Sequence, residues 1–430
     1  MAVNLEQWLA YQQRQHPDAI ALGLDRVREL AGRLGLTGPA RHVITVAGTN
    51  GKGSTVAFIE AIARAAGLRV GAYTSPHLLA YNERVRIDGV DADDAALVSA
   101  FERIESARTA GAGEPVALTY FEYGTLAALL LFEQARLDLA ILEVGLGGRL
   151  DAVNIIDADV AVITTVDLDH QALLGVDREA IGFEKAGIMR AGKPVVLGEA
   201  DPPASVLRHA YRIGASAIRA GCDFLIDDLP GDDAQARWRW REPGYAIELP
   251  EPSLSAPAQR ANAAAAIAAL RALDIGIDAA AIVTGVRTAR VPARTQRIER
   301  AGVEIVIDVA HNPQAAAQLA AWLAAHRCAG TTRAVFSALG DKDLGGIVAP
   351  LLGQVGHWNL CGLHDTPRGL SADALAERLG GALAGAAVTS HTDVATALAV
   401  ALAASLPLDR LLVFGSFHTA ADALRALATG

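Results

Sequence analysis

From Arg41 onward, short β-branched runs alternate with Ala- and Leu-rich stretches of helical period. The runs predict strands at His42–Ala47, Arg69–Tyr73, Leu137–Val144, Val160–Val166 and Pro194–Leu197. Between them, helices are predicted near Ser54–Ala66, Asp91–Arg108 and Tyr120–Ala135. Such alternation specifies βαβ units and a mostly parallel sheet. Acidic, Trp- and Pro-containing sequence at Asp223–Pro252 breaks the rhythm and reads as a small antiparallel hairpin. Helices near Arg260–Leu273 and Asp278–Arg287 follow. A second alternating set has strands at Glu304–Val309, Arg333–Ser337, Gly356–Cys361, Ala386–Ser390 and Arg410–Phe414. With Thr288–Arg294 as the linker, the expected architecture is two α/β domains, residues 1–290 and 291–430.

Composition narrows the class. The 430 residues are 52% apolar and 20% charged, enough for a large core and too apolar for a disordered chain. Basic residues number 38 against 48 acidic, a net charge of −10, which argues against nucleic acid as a partner. The longest uncharged stretch, Leu344–His364, is broken by glycines, Pro350, Gln354, His357 and Asn359, so no membrane span is expected. Cys222, Cys328 and Cys361 are scattered and odd in number, suggesting neither a disulfide framework nor a CxxC metal site. No basic, apolar leader opens the sequence, and a monomeric, cytoplasmic enzyme is the expectation. Only four of the basic residues are lysines: Lys52, Lys185, Lys193 and Lys342. Positions that keep a lysine in so arginine-rich a chain are candidates for needing a primary amine.

Val43–Thr55 runs as a strand, a glycine-rich turn with a lysine, and a helix start. Glycines let backbone N–H groups converge on phosphate oxygens, and the helix N-terminus adds its positive end. Thr49, Asn50, Gly51, Lys52, Gly53 and Ser54 are therefore candidate phosphate contacts, with Lys52 as the compact charge. The spacing is tighter than the common GxxxxGK[ST] loop, and Gly53 intervenes before Ser54.

Glu143 ends an otherwise apolar strand, where a carboxylate is costly unless paired or metal-bound. The carboxyl ends of parallel strands are also where open α/β sheets bind ligands. The next strand runs into Asp167-Leu168-Asp169-His170, so Glu143 and His170 are candidate ligands of one Mg²⁺ held against phosphates. Lys185, in an apolar-flanked turn, either pairs with a carboxylate or reacts with CO₂ to give an anionic carbamate. Lys193 reads as turn decoration, and Lys342 as a possible partner for a substrate carboxylate.

These residues, with Thr74–Leu78, Leu118–Thr125, Leu142–Asn154, Glu184–Ile188, Asp308–Pro313 and Gly415–His418, resemble the folylpolyglutamate synthase/dihydrofolate synthase family. That family is related to the Mur cell-wall ligases; the likeness runs along nearly the whole chain and is nearest to the bifunctional bacterial form. It implies a mostly parallel-sheet P-loop ATPase domain followed by a smaller Rossmann-like α/β domain. It also implies an ATP-dependent ligase that joins L-glutamate to dihydropteroate and to reduced folates through an acyl phosphate. Thr49–Lys52 would then hold ATP. Ser75, Glu143 and His170 match the family's magnesium ligands, two ions being expected, and Lys185 matches its carbamylated lysine. Asn262, Arg294 and Asp308 match further nucleotide positions. Leu22-Gly23-Leu24, Thr119-Tyr120-Phe121-Glu122 and Leu150-Asp151-Ala152 match pterin-binding segments, and His311 and Ser416 are candidates for the glutamate or nucleotide side. Lys52, Glu143, His170 and Lys185 are the expected catalytic set.

Two departures stand out. Pro292-Ala293-Arg294 replaces the family's frequent Pro-Gly-Arg, and Ala21 stands where the bifunctional form tends to have aspartate. The rival readings are a monofunctional folylpolyglutamate synthase, a Mur-type amino-acid ligase and a non-catalytic nucleotide switch.

Overall fold

A computed structural model describes residues 4–18, 20–110, 114–230, 236–364, 366 and 368–429. The chain divides into two compact units, one of Met1–Ser253 with Gln259–Arg290, the other of Leu254–Ala258 with Val291–Gly430.

The first unit is built on an eight-stranded sheet. Its strands are β1 (Ala40–Ala47), β2 (Val70–Tyr73), β3 (Val85–Ile87), β4 (Val90–Asp91), β5 (Leu137–Glu143), β6 (Val160–Ile163), β7 (Pro194–Leu197) and β8 (Ser216–Arg219). They lie in the order β4-β3-β2-β5-β1-β6-β7-β8, parallel throughout except for the β2–β3–β4 meander. The inner half of β1 and most of β5 are buried, as apolar strands covered on both faces must be. The helix Tyr120–Ala135 starts at a capping box, Thr119 with Glu122, and packs Leu126, Leu129, Leu130 and Phe132 into this core.

The hairpin expected from Asp223–Pro252 is a three-stranded antiparallel sheet, β9 (Leu225–Asp228), β10 (Arg237–Glu242) and β11 (Tyr245–Pro250); residues 231–235 lie outside the described ones. Trp238 and Trp240 point inward from alternate positions, while Arg239 and Arg241 face solvent and pair with Glu248 and Asp227.

The second unit carries β12 (Gln296–Arg300), β13 (Val303–Ile307), β14 (Thr332–Phe336), β15 (His357–Cys361), β16 (Ala387–His391) and β17 (Arg410–Phe414). Their order is β12-β13-β17-β14-β15-β16, all parallel except β12. Phe336, Trp358 and Phe414 pack edge-on and tilted at its centre. The strand β12 and the amino-terminal helices Leu5–Gln12 and Asp25–Leu34 lie outside the elements read from the sequence. The strand expected to reach Val166 stops at Ile163, because Thr164 and Thr165 turn their polar groups to a neighbouring loop.

Candidate active site

The loop Gly48–Gly51 leaves the carboxyl end of β1 and leads into the helix Lys52–Ala65. Gly48 and Gly51 sit at φ +155° and +87°. A Cβ on Gly48 would stand 1.8 Å from Thr164 Oγ1, and one on Gly51 would stand 2.5 Å from Asn262 Oδ1. Both positions therefore require glycine twice over, for conformation and for space. The carboxyl end of β6 holds the loop from the side. Thr49 N donates to Thr165 O (2.7 Å), Asn50 N to Thr165 Oγ1 (3.1 Å), and Thr164 Oγ1 to Asn50 O (2.6 Å). Thr49 Oγ1 exchanges bonds with the Asp167 peptide groups at 3.0 Å. Lys52 curls back, its Nζ donating to Gly48 O at 3.0 Å and Thr49 O at 3.3 Å. Ser54 is buried in the first turn, and Asn262, against Gly51, donates from Nδ2 to Gln259 Oε1. The threonine pair escaped sequence reading because two β-branched residues after an apolar strand look like more strand.

The metal candidates sit on neighbouring strand ends. Glu143, the last residue of β5, is only 4% exposed and accepts the Ser75 N–H at 3.2 Å. A Cβ on Gly53 would lie 3.7 and 3.9 Å from its two oxygens, so the carboxylate overlooks the start of the loop helix. His170 follows the loop clamp in a left-handed conformation, φ +50°, with its N–H bonded to Asp169 Oδ1. Such backbone costs a non-glycine residue about 1 kcal/mol and is a common mark of a functional position. Among the described residues no three His, Cys, Asp or Glu side chains converge on one point. A carboxylate, an imidazole and a serine suit a hard cation that keeps most of its waters, so this donor set fits Mg²⁺.

Lys185 lies in the last turn of the helix Arg178–Ala186, 3% exposed. Burial brings its pKa down to about 7, helped by the charge of Lys52 and opposed by Asp169 and Glu199. A large share of this amine is thus neutral at physiological pH. Of the other lysines, Lys193 makes a surface pair with Asp159, and Lys342 stands 4.0 Å from Asp341 with its side chain largely buried.

The segments expected to bind pterin meet around the amino end of the helix Tyr120–Ala135. Gly23 N bonds to Leu150 O, which ties the Leu22–Leu24 turn to the Leu150–Ala152 segment. Asp151 is buried, accepts the Leu146 and Val153 N–H groups, and caps the short helix Ala152–Ile155. Its pKa is pushed up to about 6 by burial, against those bonds and the charge of Lys52. Phe121 lines the same spot: a Cβ on Gly145 would meet its ring at 2.7 Å and Asp151 Oδ2 at 3.3 Å. Tyr120 stacks edge-on to Tyr81, and Arg84 stands over both rings. Glu122 is already engaged by the Thr119 cap and by Arg26, which also donates to Ala21 O. It is thus held as part of the wall rather than as a loose acceptor.

In the second unit, Asp308 follows β13 and accepts the Thr295 and Ala310 N–H groups; burial raises its pKa, against the charge of Arg294 and those bonds. Arg294 lies 5.2 Å over the Phe417 ring, and the His311 ring is tilted against the same ring at 6.0 Å while its Nδ1 meets Val309 O. Ser416 is buried and accepts Thr419 N at 3.0 Å, the geometry of a helix cap.

The Mur ligase middle domain family model matches residues 46–270, and the Mur ligase, glutamate ligase domain model matches 293–417. The dihydrofolate synthase/folylpolyglutamate synthase of Escherichia coli (strain K12) is 44% identical over 427 residues, covering 99% of this chain and 96% of that protein. A structure of E. coli FolC in complex with DHPP and ADP superposes with a TM-score of 0.92 at 43% identity, covering 100% of this chain and 98% of that one. A bifunctional folylpolyglutamate synthase/dihydrofolate synthase with Mn, AMPPNP and L-glutamate bound gives a TM-score of 0.89 at 44% identity, covering 99% and 98%.

Proposed function

The chain belongs to the Mur ligase family, among its dihydrofolate synthase/folylpolyglutamate synthases, and we propose on that premise that it joins L-glutamate to dihydropteroate and to reduced folates with ATP. The observation that carries the reading is the grouping of a clamped phosphate loop and the carboxylate Glu143 on adjacent strand ends, with the desolvated Lys185, at the end of the helix Arg178–Ala186, within the field of Lys52.

A carboxylate resists attack by an amine because its oxygen is a poor leaving group. Moving the ATP γ-phosphoryl onto that oxygen gives an acyl phosphate, which the glutamate nitrogen attacks as phosphate leaves. This chain's part is to hold anions close and neutralise them. The Thr49 and Asn50 N–H groups are taken by Thr165, so the N–H groups at the start of the loop helix, with Lys52, bind the phosphates. Phe121, Tyr120 and the Asp151 turn, which gather at one place, would supply aromatic faces and a carboxyl group to a flat pterin. Glu143, Ser75 and His170 would hold Mg²⁺, which supplies charge neutralisation between the substrate carboxylate and the phosphates. The neutral Lys185 amine adds its lone pair to the carbon of CO₂ and releases one proton; the resulting carbamate is an anion suited to a second Mg²⁺. A monomer working in the cytoplasm is the assembly and location that fit these substrates.

Purified protein given ATP, Mg²⁺ and glutamate should convert both dihydropteroate and tetrahydrofolate to products heavier by one glutamate, read by mass spectrometry. Product from tetrahydrofolate alone would favour the monofunctional enzyme. Phosphate release without any acceptor, and no amide, would favour the nucleotide switch.

A further inference from the structure

The Val166 peptide, just beyond β6, is gripped from both sides. Its N–H donates to Glu199 Oε1 at 3.0 Å, and its C=O accepts from Arg178 Nε at 2.8 Å. The two side chains also meet each other, Nη2 to Oε2 at 3.3 Å, and Arg178 Nη2 reaches Asp201 O at 3.0 Å. Val166 lies between the groups that clamp the phosphate loop, Thr164 and Thr165 before it and Asp167 after it. His170 follows on the same segment. Arg178 opens the helix that ends with Lys185, and the Glu199 charge acts on that lysine.

As a partly exposed ion pair this contact would contribute little. Its geometry does something else: it fixes the two peptide planes on either side of the Val166 Cα, one carrying the Thr165 carbonyl and the other the Asp167 N–H that clamp the phosphate loop, with the histidine following on the same segment. We propose that Arg178 and Glu199 are positioning residues that act through the Val166 peptide, setting divalent-metal and nucleotide affinity together. The inference rests on the ligase reading above and goes beyond the groups that touch the reactants.

The test is Mn²⁺ binding to the ADP-loaded full-length protein, followed by the paramagnetic resonance of free Mn²⁺, beside thermal unfolding and Mg²⁺-titrated amide synthesis. Arg178→Ala and Glu199→Ala should weaken Mn²⁺ binding about 10–100-fold, the usual cost of losing a group that orients a metal ligand. The KM for glutamate should not move. Glu199→Gln keeps an acceptor for Val166 but gives up the charge and the oxygen that meets Arg178 Nη2; with Arg178 still held on Val166 O and Asp201 O, it should retain most of the affinity. Alanine variants that are folded and bind Mn²⁺ like the wild type overturn the proposal, as does a Gln variant impaired as much as the Ala one. If the alanine variants do not fold, Glu199→Asp, charged but too short to reach, takes their place: the proposal expects it impaired with Gln intact, and the reverse overturns it. A wild type that forms no amide sinks the ligase reading instead, while Mn²⁺ binding still judges the two side chains.

Discussion

Asp151 and Asp308 are the same device in two sheets. Each follows a strand and spends its two oxygens on main-chain N–H groups, Asp151 fully buried and Asp308 half-buried. Their company differs. Asp308 has Arg294 and His311 in its own turn region, whereas Asp151 has only the field of Lys52 and rises to about 6. The contrast extends to the regions around them. In the first unit two ionisable groups are withdrawn from water, Glu143 at a strand end and Lys185 at a helix end, near the half-buried Lys52. In the second, Ser416, Asn312 and Asp343 cap helices. Lys185, buried with its charge opposed by desolvation, is left able to answer a ligand, whereas Ser416, Asn312 and Asp343, held in caps, are architecture.

The largest effect tests the first half of that contrast. Lys185→Met should lower kcat about 10²–10³-fold, the scale of losing one aligned electrostatic group, with unfolding temperature unchanged or higher. Its pH behaviour has a definite sign. Below pH 7 the protonated fraction of Lys185 grows and carbamate formation falls, so activity should decline on acidification and recover partly with added bicarbonate. Because the unfolded lysine stays protonated up to its ordinary value of 10.5, folding stability gains as pH rises from about 7 toward 10.5 and loses that gain on the way down. An activity profile flat from pH 6 to 8 would contradict both the buried amine and its carbamate.

Gly48→Ala comes next. Its Cβ would displace the Thr164 hydroxyl from the loop, so about 2–4 kcal/mol of stability and most nucleotide affinity should go, measured by thermal melts with and without ADP. The second half of the contrast is tested by Ser416→Ala. As a cap it should cost about 1 kcal/mol with little change in the glutamate KM; a KM raised tenfold at unchanged stability would make Ser416 a substrate contact. Ala293→Gly should have the smallest effect. Ala293 adopts φ +53° where the family tends to carry glycine, so relief of strain, about 1–2 kcal/mol, is largely offset by the freer unfolded chain. A gain under about 1 kcal/mol is expected by denaturant titration.

The phosphate loop and Glu143 were legible because their signals are local: glycines at fixed offsets, and one acid in an apolar strand. The Pro292-Ala293-Arg294 departure also pointed to a real place, a turn that wants glycine and lacks it. The Thr164-Thr165 clamp was not legible, since its meaning comes from a loop more than a hundred residues earlier in sequence. Glu122 and Ser416 were assigned to ligands by motif, yet both lie in hydrogen bonds of helix starts, a use that composition cannot separate from binding. The strand β12 was missed between the expected linker, Thr288–Arg294, and the strand at Glu304, because Gln296–Arg300 carries a single apolar residue, Ile298. The three strands β9–β11 exceeded a hairpin because β9 contributes only a short, half-exposed run.

The loop bolted to the end of β6 carries one last consequence. Its shape is dictated by threonine hydroxyls and main-chain groups of the protein itself, so a nucleotide arriving there meets a finished mould. Little ordering entropy is left to lose on binding, and discrimination among triphosphates must then come from the walls beyond the phosphates.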